Sequence, residues 1–154
     1  MPSVAKMNSS NKAIKKITLK GFVLSLIMDL ILGPSLLMAL PSGGTVREGS
    51  ATISQSKGES LNINQQTNKA IIDWNGFSLN VNELVKFTQP GAAAVILNRV
   101  TGNDPSSILG RLTANGRVFI LNPNGILFGP TSTVDVAGLL ATTLNIKNSD
   151  FMAD

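Results

Sequence analysis

The side chains that could perform acid–base chemistry in this chain are carboxylates, because the sequence contains no histidine and no cysteine. Their absence removes the usual general base at neutral pH, the thiol nucleophile and the ligands of most zinc and haem-thiolate sites. The acids that follow residue 39 are isolated in sequence: Glu48, Glu59, Asp73, Glu83, Asp104, Asp135, Asp150 and Asp154. Scattered carboxylates are typical of a solvated surface. We therefore expect no catalytic residues, no metal and no cofactor.

The corner Asn122-Pro123-Asn124-Gly125, which is followed by Ile126, is the most informative local pattern. Proline fixes its own φ and biases the preceding residue towards extended geometry, while Asn124 and Gly125 can each adopt positive φ at low cost. The pattern predicts a turn between two strands. Because no catalytic group lies here, a function beyond folding would be recognition or shape.

Positive charge is concentrated at the N-terminus. The net charge is +4, yet five lysines precede residue 21, and the chain after residue 39 has eight bases and eight acids. That remainder has no tyrosine, a single tryptophan and no basic patch. We therefore expect no nucleic-acid partner.

The lysines lead into an apolar stretch that ends before a turn-like Leu-Pro-Ser-Gly-Gly at 40–44. A cationic segment, an apolar segment and a small residue predict a signal peptide over residues 1–39, cleaved after Ala39. Leu37 is larger than the residue usually preferred three positions before a cut, and Met7 is an alternative start. A membrane anchor is the alternative, but Asp29 would cost an inserted helix about 3 kcal/mol.

After this leader the chain alternates short β-forming runs with turn residues, which is typical of a sandwich, a barrel or a solenoid. Little helix is expected. The runs in the C-terminal half are three to six residues long and separated by Asn/Gly corners, which slightly favours a right-handed parallel β-helix. The predicted strands are 45–54, 60–64, 70–74, 77–81, 84–88, 93–98, 108–113, 117–121, 126–129, 133–136 and 141–146.

Three arginines lie beside predicted corners: Arg99, Arg111 and Arg117. An arginine at such a position more often points outward into solvent than binds a partner. Arg117 is a weak candidate for recognition. Trp74 is expected to cover the exposed N-terminal end of a solenoid.

Eight segments follow one another along the chain after the leader: Leu40–Val46, Gly49–Ile53, Ala70–Phe77, Phe87–Pro90, Leu97–Gly102, Ser106–Gly110, Asn115–Gly129 and Ala141–Leu144. In this order they resemble the haemagglutination activity domain, which is the N-terminal two-partner secretion domain of filamentous haemagglutinin-like exoproteins. The resemblance covers residues 40–154, which we assign as one domain.

This resemblance implies an all-β, right-handed parallel β-helix with an N-terminal β cap. It also implies export by the general secretion machinery, recognition by periplasmic domains of an outer-membrane β-barrel transporter, and a secreted or surface-located adhesin of a Gram-negative bacterium with a possible host-cell or surface receptor. Asn122, Pro123, Asn124, Gly125 and Ile126 match the family's secretion motif. A second motif, Asn-Pro-Asn-Leu, is absent, which makes Asn98 in the corresponding region a weaker candidate.

Two expectations remain open at this point. Members of the family continue beyond the position of Asp154, so an incomplete C-terminus is expected. The alternative function is a β-helical polysaccharide-active enzyme or a carbohydrate-binding solenoid fragment, which would need carboxylates gathered on one face of the coil.

Overall fold

The computed structural model describes residues 39–56 and 58–153, so the predicted signal peptide lies almost entirely outside the described residues. No helix in those ranges is long and apolar enough to cross a membrane. The elements are β1 (Thr45–Glu48), β2 (Ala51–Ser56), β3 (Ser60–Gln65), β4 (Lys69–Trp74), β5 (Leu84–Thr88), β6 (Val95–Val100), β7 (Ser106–Ile108), β8 (Arg111–Ala114), β9 (Arg117–Leu121), β10 (Ile126–Phe128), β11 (Thr133–Asp135), β12 (Gly138–Thr142) and α1 (Asn148–Met152).

Parallel strands from successive turns of the chain stack into a β-solenoid of about four turns. On one face, β4, β6, β9 and β12 pair in that order. On a second face, β3, β5, β8 and β11 pair in the same way. A narrower third face consists of β7 and β10, with a parallel bridge from Leu79 to Ile108. We call one turn of this solenoid a coil. The parallel β-helix predicted from the sequence is confirmed.

Antiparallel strands cover the N-terminal end of the solenoid. β1 pairs with β4 and β2 pairs with β3 along its whole length, so the first coil does not expose the edges of these two strands. This is the expected N-terminal cap. Trp74 was predicted to provide the cover, but it lies buried within the first coil. Gly44 passes close to it, since a Cβ on Gly44 would lie 2.5 Å from the indole ring.

The interior of the solenoid is filled by alternate residues of each strand. In β9, Val118 and Ile120 point inward and are fully buried, whereas Arg117 is exposed. Val118 stacks on Ile96 of the coil before it. Each large aliphatic side chain buried in this way contributes roughly 1.5–3 kcal/mol. The alternation that predicted these strands thus has its physical origin in the stacked core.

On the outer side of the β4-β6-β9 face, a second apolar cluster is covered by the C-terminal segment. Ile71, Leu97 and Leu121 are buried there against Phe151 of α1. Phe119 and Phe151 also meet edge to face, with ring centroids 6.0 Å apart. Strands β4 and β6 are therefore buried on both faces, which explains the apolar runs Ala70–Ile72 and Val95–Leu97 within them.

Four strand predictions differ from the structure. The run 45–54 is divided at Gly49, which has a φ of 72°, into β1, which pairs with β4, and β2, which pairs with β3. The run 77–81 forms only the bridge at Leu79. The run 108–113 is interrupted because Gly110 forms a tight corner, where a Cβ would lie 2.3 Å from two backbone oxygens. The run 141–146 is shifted, since β12 occupies Gly138–Thr142 and the chain then leaves the sheet to form the unpredicted helix α1.

Candidate functional site

The corner Asn122–Gly125 joins β9 to β10 and is closed by a hydrogen bond from Gly125 N to Asn122 O of 3.1 Å. Gly125 has a φ of 109°, and no residue other than glycine has positive φ among those described. The expectation that Asn124 could also adopt positive φ is therefore wrong. Pro123 and Asn124 occupy the central positions of a β-turn of a kind that needs no positive φ at either.

Asn122 is completely buried and connects three successive coils. Its Nδ2 donates to the carbonyl oxygen of Asp104 and to Ser106 Oγ, both at 3.0 Å, in the preceding coil. Its Oδ1 accepts a 2.9 Å hydrogen bond from Asn124 N, which shapes the turn itself. Its backbone N–H donates to Thr142 O, at 3.1 Å, in the following coil. Asn122 therefore fixes the position of the corner, but its side chain is not accessible to a binding partner.

The next two residues of the motif are exposed. Asn124 Nδ2 donates to Gly102 O at 2.9 Å and lies 3.3 Å from Asn122 Oδ1. Pro123 projects beside it. Ile126 is half-buried, packs on the main core and pairs with Ser106 through β10 and β7. The motif is thus divided into a buried residue that holds the corner, two exposed residues that it presents, and an apolar residue that anchors the next strand.

A cavity of about 340 Å³ opens beside the exposed part of this corner. Pro123 and Asn124 form one side of it, and Gly102, Leu144 and Arg99 contribute to the others. Leu144 is 76% exposed, and Leu127, which follows the corner on β10, is 61% exposed. The corner therefore combines a fixed polar turn with exposed apolar side chains.

Arg99 holds the C-terminal segment in place, a role that the sequence did not reveal. Its guanidinium donates to Ile146 O at 2.7 Å, to Asn148 Oδ1 at 2.8 Å and to Asn145 Oδ1 at 3.1 Å. It also pairs with Asp73, at 3.4 Å. Its position near the end of a strand and next to a corner predicted an outward, solvated side chain.

The two weaker candidates lie away from the exposed corner. Asn98 is completely buried, accepts a 3.0 Å hydrogen bond from Trp74 Nε1 and donates to Phe119 O at 3.2 Å. Any effect of Asn98 on recognition must therefore act through the folded core. Arg117 is exposed, but it begins β9 whereas the corner follows the end of that strand. The structure does not bring Arg117 together with the motif.

The acids are expected on a solvated surface, and two of them are placed differently. Asp73 forms ion pairs with Arg47, at 2.8 Å, and with Arg99. Glu83 is buried and accepts hydrogen bonds from two backbone N–H groups. Across residues 39–56 and 58–153, no group of three or more acidic, histidine or cysteine residues could hold a metal ion. The arrangement of Asp73 opposite arginines is that of a structural ion pair and not of two cooperating carboxylates.

Comparison with known proteins agrees with the fold. The model of the TPS secretion domain family matches residues 37–154. A heme/hemopexin-binding protein of Haemophilus influenzae strain Rd is 44% identical over 108 residues, which make up 70% of this chain and 12% of that protein. A second H. influenzae protein of the same name is 43% identical over 99 residues, or 64% of this chain and 11% of its own length. The chain thus spans about an eighth of these relatives.

The fold has a solved counterpart. The crystal structure of the HMW1 secretion domain from H. influenzae matches 72% of this chain and 29% of its own, with a TM-score of 0.68 and 38% identity. Proteins with such domains are secreted via the outer membrane of Gram-negative bacteria, with a cognate outer-membrane transporter, and the family is not an enzyme family. The resemblance noted in the sequence is confirmed: the chain belongs to the TPS secretion domain family, the secretion domains of two-partner secretion exoproteins.

Proposed function

We propose that the corner Asn122–Gly125 is the part of the folded domain that the periplasmic domains of the transporter recognise. The observation that carries this proposal is the division of the motif. Asn122 is fully buried and bonded to neighbouring coils, whereas Pro123 and Asn124 are exposed beside a cavity. A turn needed only to change the chain's direction would not require this combination.

The fixed geometry of the corner favours binding. Because Asn122 bonds to the coils before and after its own, the exposed residues lose little conformational freedom when a partner binds. Pro123 adds to this rigidity through its restricted φ. Leu127 and Leu144 offer apolar surface next to the polar turn. A partner with an apolar side chain and a hydrogen-bonding group beside it would fit this surface.

The experiment replaces the exposed residues and leaves the buried one intact. A Pro123→Ala, Asn124→Ala double variant of the exoprotein, coexpressed with its cognate transporter, should keep its β-type circular dichroism because neither side chain is buried. Its secretion should fall by about ten-fold, the equivalent of roughly 1.4 kcal/mol of binding. Binding to the isolated periplasmic domains should weaken in parallel.

The matched control is Asn115→Ala, in another Asn-Gly corner of the same solenoid. Asn115 is exposed and bonds to the preceding coil, as Asn124 does, but it lies outside the motif. Its secretion should stay close to that of the parent. If the double variant is folded and secreted as well as the parent, the corner is only a structural turn and the proposal is wrong.

The wider role is proposed from the predicted leader and from the family to which the chain belongs. The leader would direct the chain to the general secretion machinery, and the exported protein would act at the cell surface or on a host receptor, without catalysis and without nucleic acid. We assign no haem site to this domain, although its relatives are named for haem binding, because the sequence has no histidine, cysteine or tyrosine, and methionine is the one axial-ligand type that it contains.

A further inference from the structure

Glu83 is a buried carboxylate close to the point where the chain enters the domain. It is 3% exposed. Its Oε1 accepts a hydrogen bond from Ala39 N at 2.8 Å, and its Oε2 accepts one from Asn80 N at 2.7 Å. Neither of the ion pairs among the described residues includes it. A buried charge without a counter-charge is costly even when it is hydrogen-bonded.

The residues that follow Ala39 are fixed beside this carboxylate. Leu40 packs against the main core. Ser42 N donates to Gly76 O at 3.0 Å, and Asn75 N donates to Ser42 O at 2.9 Å. The segment from Ala39 to Ser42 is short and is anchored at both ends, by Glu83 and by Gly76. A new chain end formed in this segment would therefore stay near Glu83.

We propose that the carboxylate of Glu83 is the docking site for the α-ammonium group of the mature chain. Hydrolysis of the Ala39–Leu40 peptide bond uses one water and leaves a carboxylate on Ala39 and an ammonium group on Leu40. It also removes the Ala39 N–H from Glu83 Oε1. Because successive Cα atoms lie about 3.8 Å apart, the new ammonium group begins within one residue of the vacated oxygen.

This pairing links the stability of the folded domain to removal of the leader. In the precursor, the donors to Glu83 among the described residues are neutral amides. In the processed chain the donor is a cation, which adds the attraction between opposite charges and supplies the counter-charge that a buried carboxylate otherwise lacks. The domain thus folds most stably after processing, on the far side of the inner membrane. The inference rests on the predicted leader and not on the recognition corner.

The test compares four full-length chains, each exported with its leader and processed by signal peptidase. They are the parent, the parent with Gly-Gly inserted between Ala39 and Leu40, and both chains with Glu83→Gln. The insertion moves the ammonium group away and leaves a neutral amide at Leu40. In chains with Glu83, the insertion should lower the folding equilibrium constant by about ten-fold, as expected for a hydrogen bond to a charged group. With Glu83→Gln, it should change it less than about two-fold. Equal effects in both backgrounds would overturn the proposal.

Two further measurements keep the test decisive if Glu83→Gln does not fold. An amine-selective reagent should label the α-amine of the folded parent at least about ten-fold more slowly than that of the insertion variant, because a buried ion pair is shielded from solvent. Equal labelling rates would contradict docking. Mass spectrometry should find a first residue at 40, or at Ala39, whose nitrogen already contacts Glu83. Any other first residue would also contradict it.

Discussion

Two Asn-Gly corners of this solenoid perform different tasks with the same residue types. At the first corner, Asn115 is exposed and bonds twice to the coil before it: its Nδ2 donates to Gln89 O and its Oδ1 accepts from Gln89 N, at 2.8 and 2.7 Å. At the second, Asn122 is buried and the residues after it are exposed. The first corner only joins coils, whereas the second also presents a surface.

The glycines of the two corners are required for different reasons. A Cβ on Gly116 would lie 2.6 Å from Gln89 Oε1 and 2.9 Å from Ala94 O, so this position needs space. Nothing lies within 4 Å of a Cβ on Gly125, but its φ of 109° is one that other residues rarely adopt. One glycine permits close stacking of coils, and the other sets the shape of an exposed turn. Sequence alone cannot distinguish these two needs.

The largest effect should come from Asn122→Ala. The substitution leaves Asp104 O, Ser106 Oγ and Asn124 N without their partner in a buried site. Each unsatisfied buried group costs about 1–3 kcal/mol, and since water can reach some of them we expect a total near 3 kcal/mol. Urea denaturation measures it. Asn103→Ala is the control, because Asn103 lines the cavity beside the corner but is exposed. A loss as small as that of the control would show that Asn122 does not hold the corner.

Gly116→Ala should follow, with a loss of about 2 kcal/mol from overpacking. The added methyl group meets the backbone oxygen of Ala94 as well as the Gln89 side chain, so a rotamer change cannot remove the clash. Gly76→Ala is the matched control in a third Asn-Gly corner, where the nearest contact would be Ser42 Oγ at 3.7 Å. Thermal denaturation of both variants checks this. Equal melting temperatures would mean that close stacking is not what requires Gly116.

The sequence predicted the coil and its corners because both depend on local properties. Alternating apolar residues define the inward face of β9, and Asn/Gly pairs mark where the chain turns. It did not predict that the C-terminal segment covers Ile71 and Leu97. Which segment covers an outer face depends on packing between residues that are distant in sequence. The role of Arg99 was missed for the same reason, since its acceptors lie in residues 145–148.

The candidate site was predicted as a set of positions but not as an arrangement. Local rules place Asn122, Pro123 and Gly125 in a turn. Burial of Asn122 depends on the neighbouring coils, which bring Asp104 and Thr142 against it. The same stacking put Asn98 in the interior beside Trp74. Residue type indicated that these asparagines bond to backbone, but only the fold determines which are exposed.

Gly125→Ala should cost about 1–2 kcal/mol, because an L-residue pays this strain at positive φ. The effect is conformational, since the methyl group would meet no neighbour. Gly91→Ala is the control, because Gly91 also has open space around it but no positive φ, and it should change stability by less than about 0.5 kcal/mol. Chemical denaturation compares the two. If they lose the same free energy, the turn relaxes to accept alanine and Gly125 is not needed for its shape.

The smallest effect should come from Asn115→Ala, at about 1 kcal/mol. Although the substitution removes two hydrogen bonds to Gln89, water can replace them at this exposed position, so only their net contribution is lost. Denaturant titration gives the stability, and coexpression with the transporter gives secretion, which should not change. The result separates the two corners: a bond that only joins coils affects stability alone, whereas a residue of the presented corner affects secretion at similar stability. If Asn115→Ala reduced secretion as much as the Pro123→Ala, Asn124→Ala variant, any weakening of the coil would impair export, and the distinction between the corners would be lost.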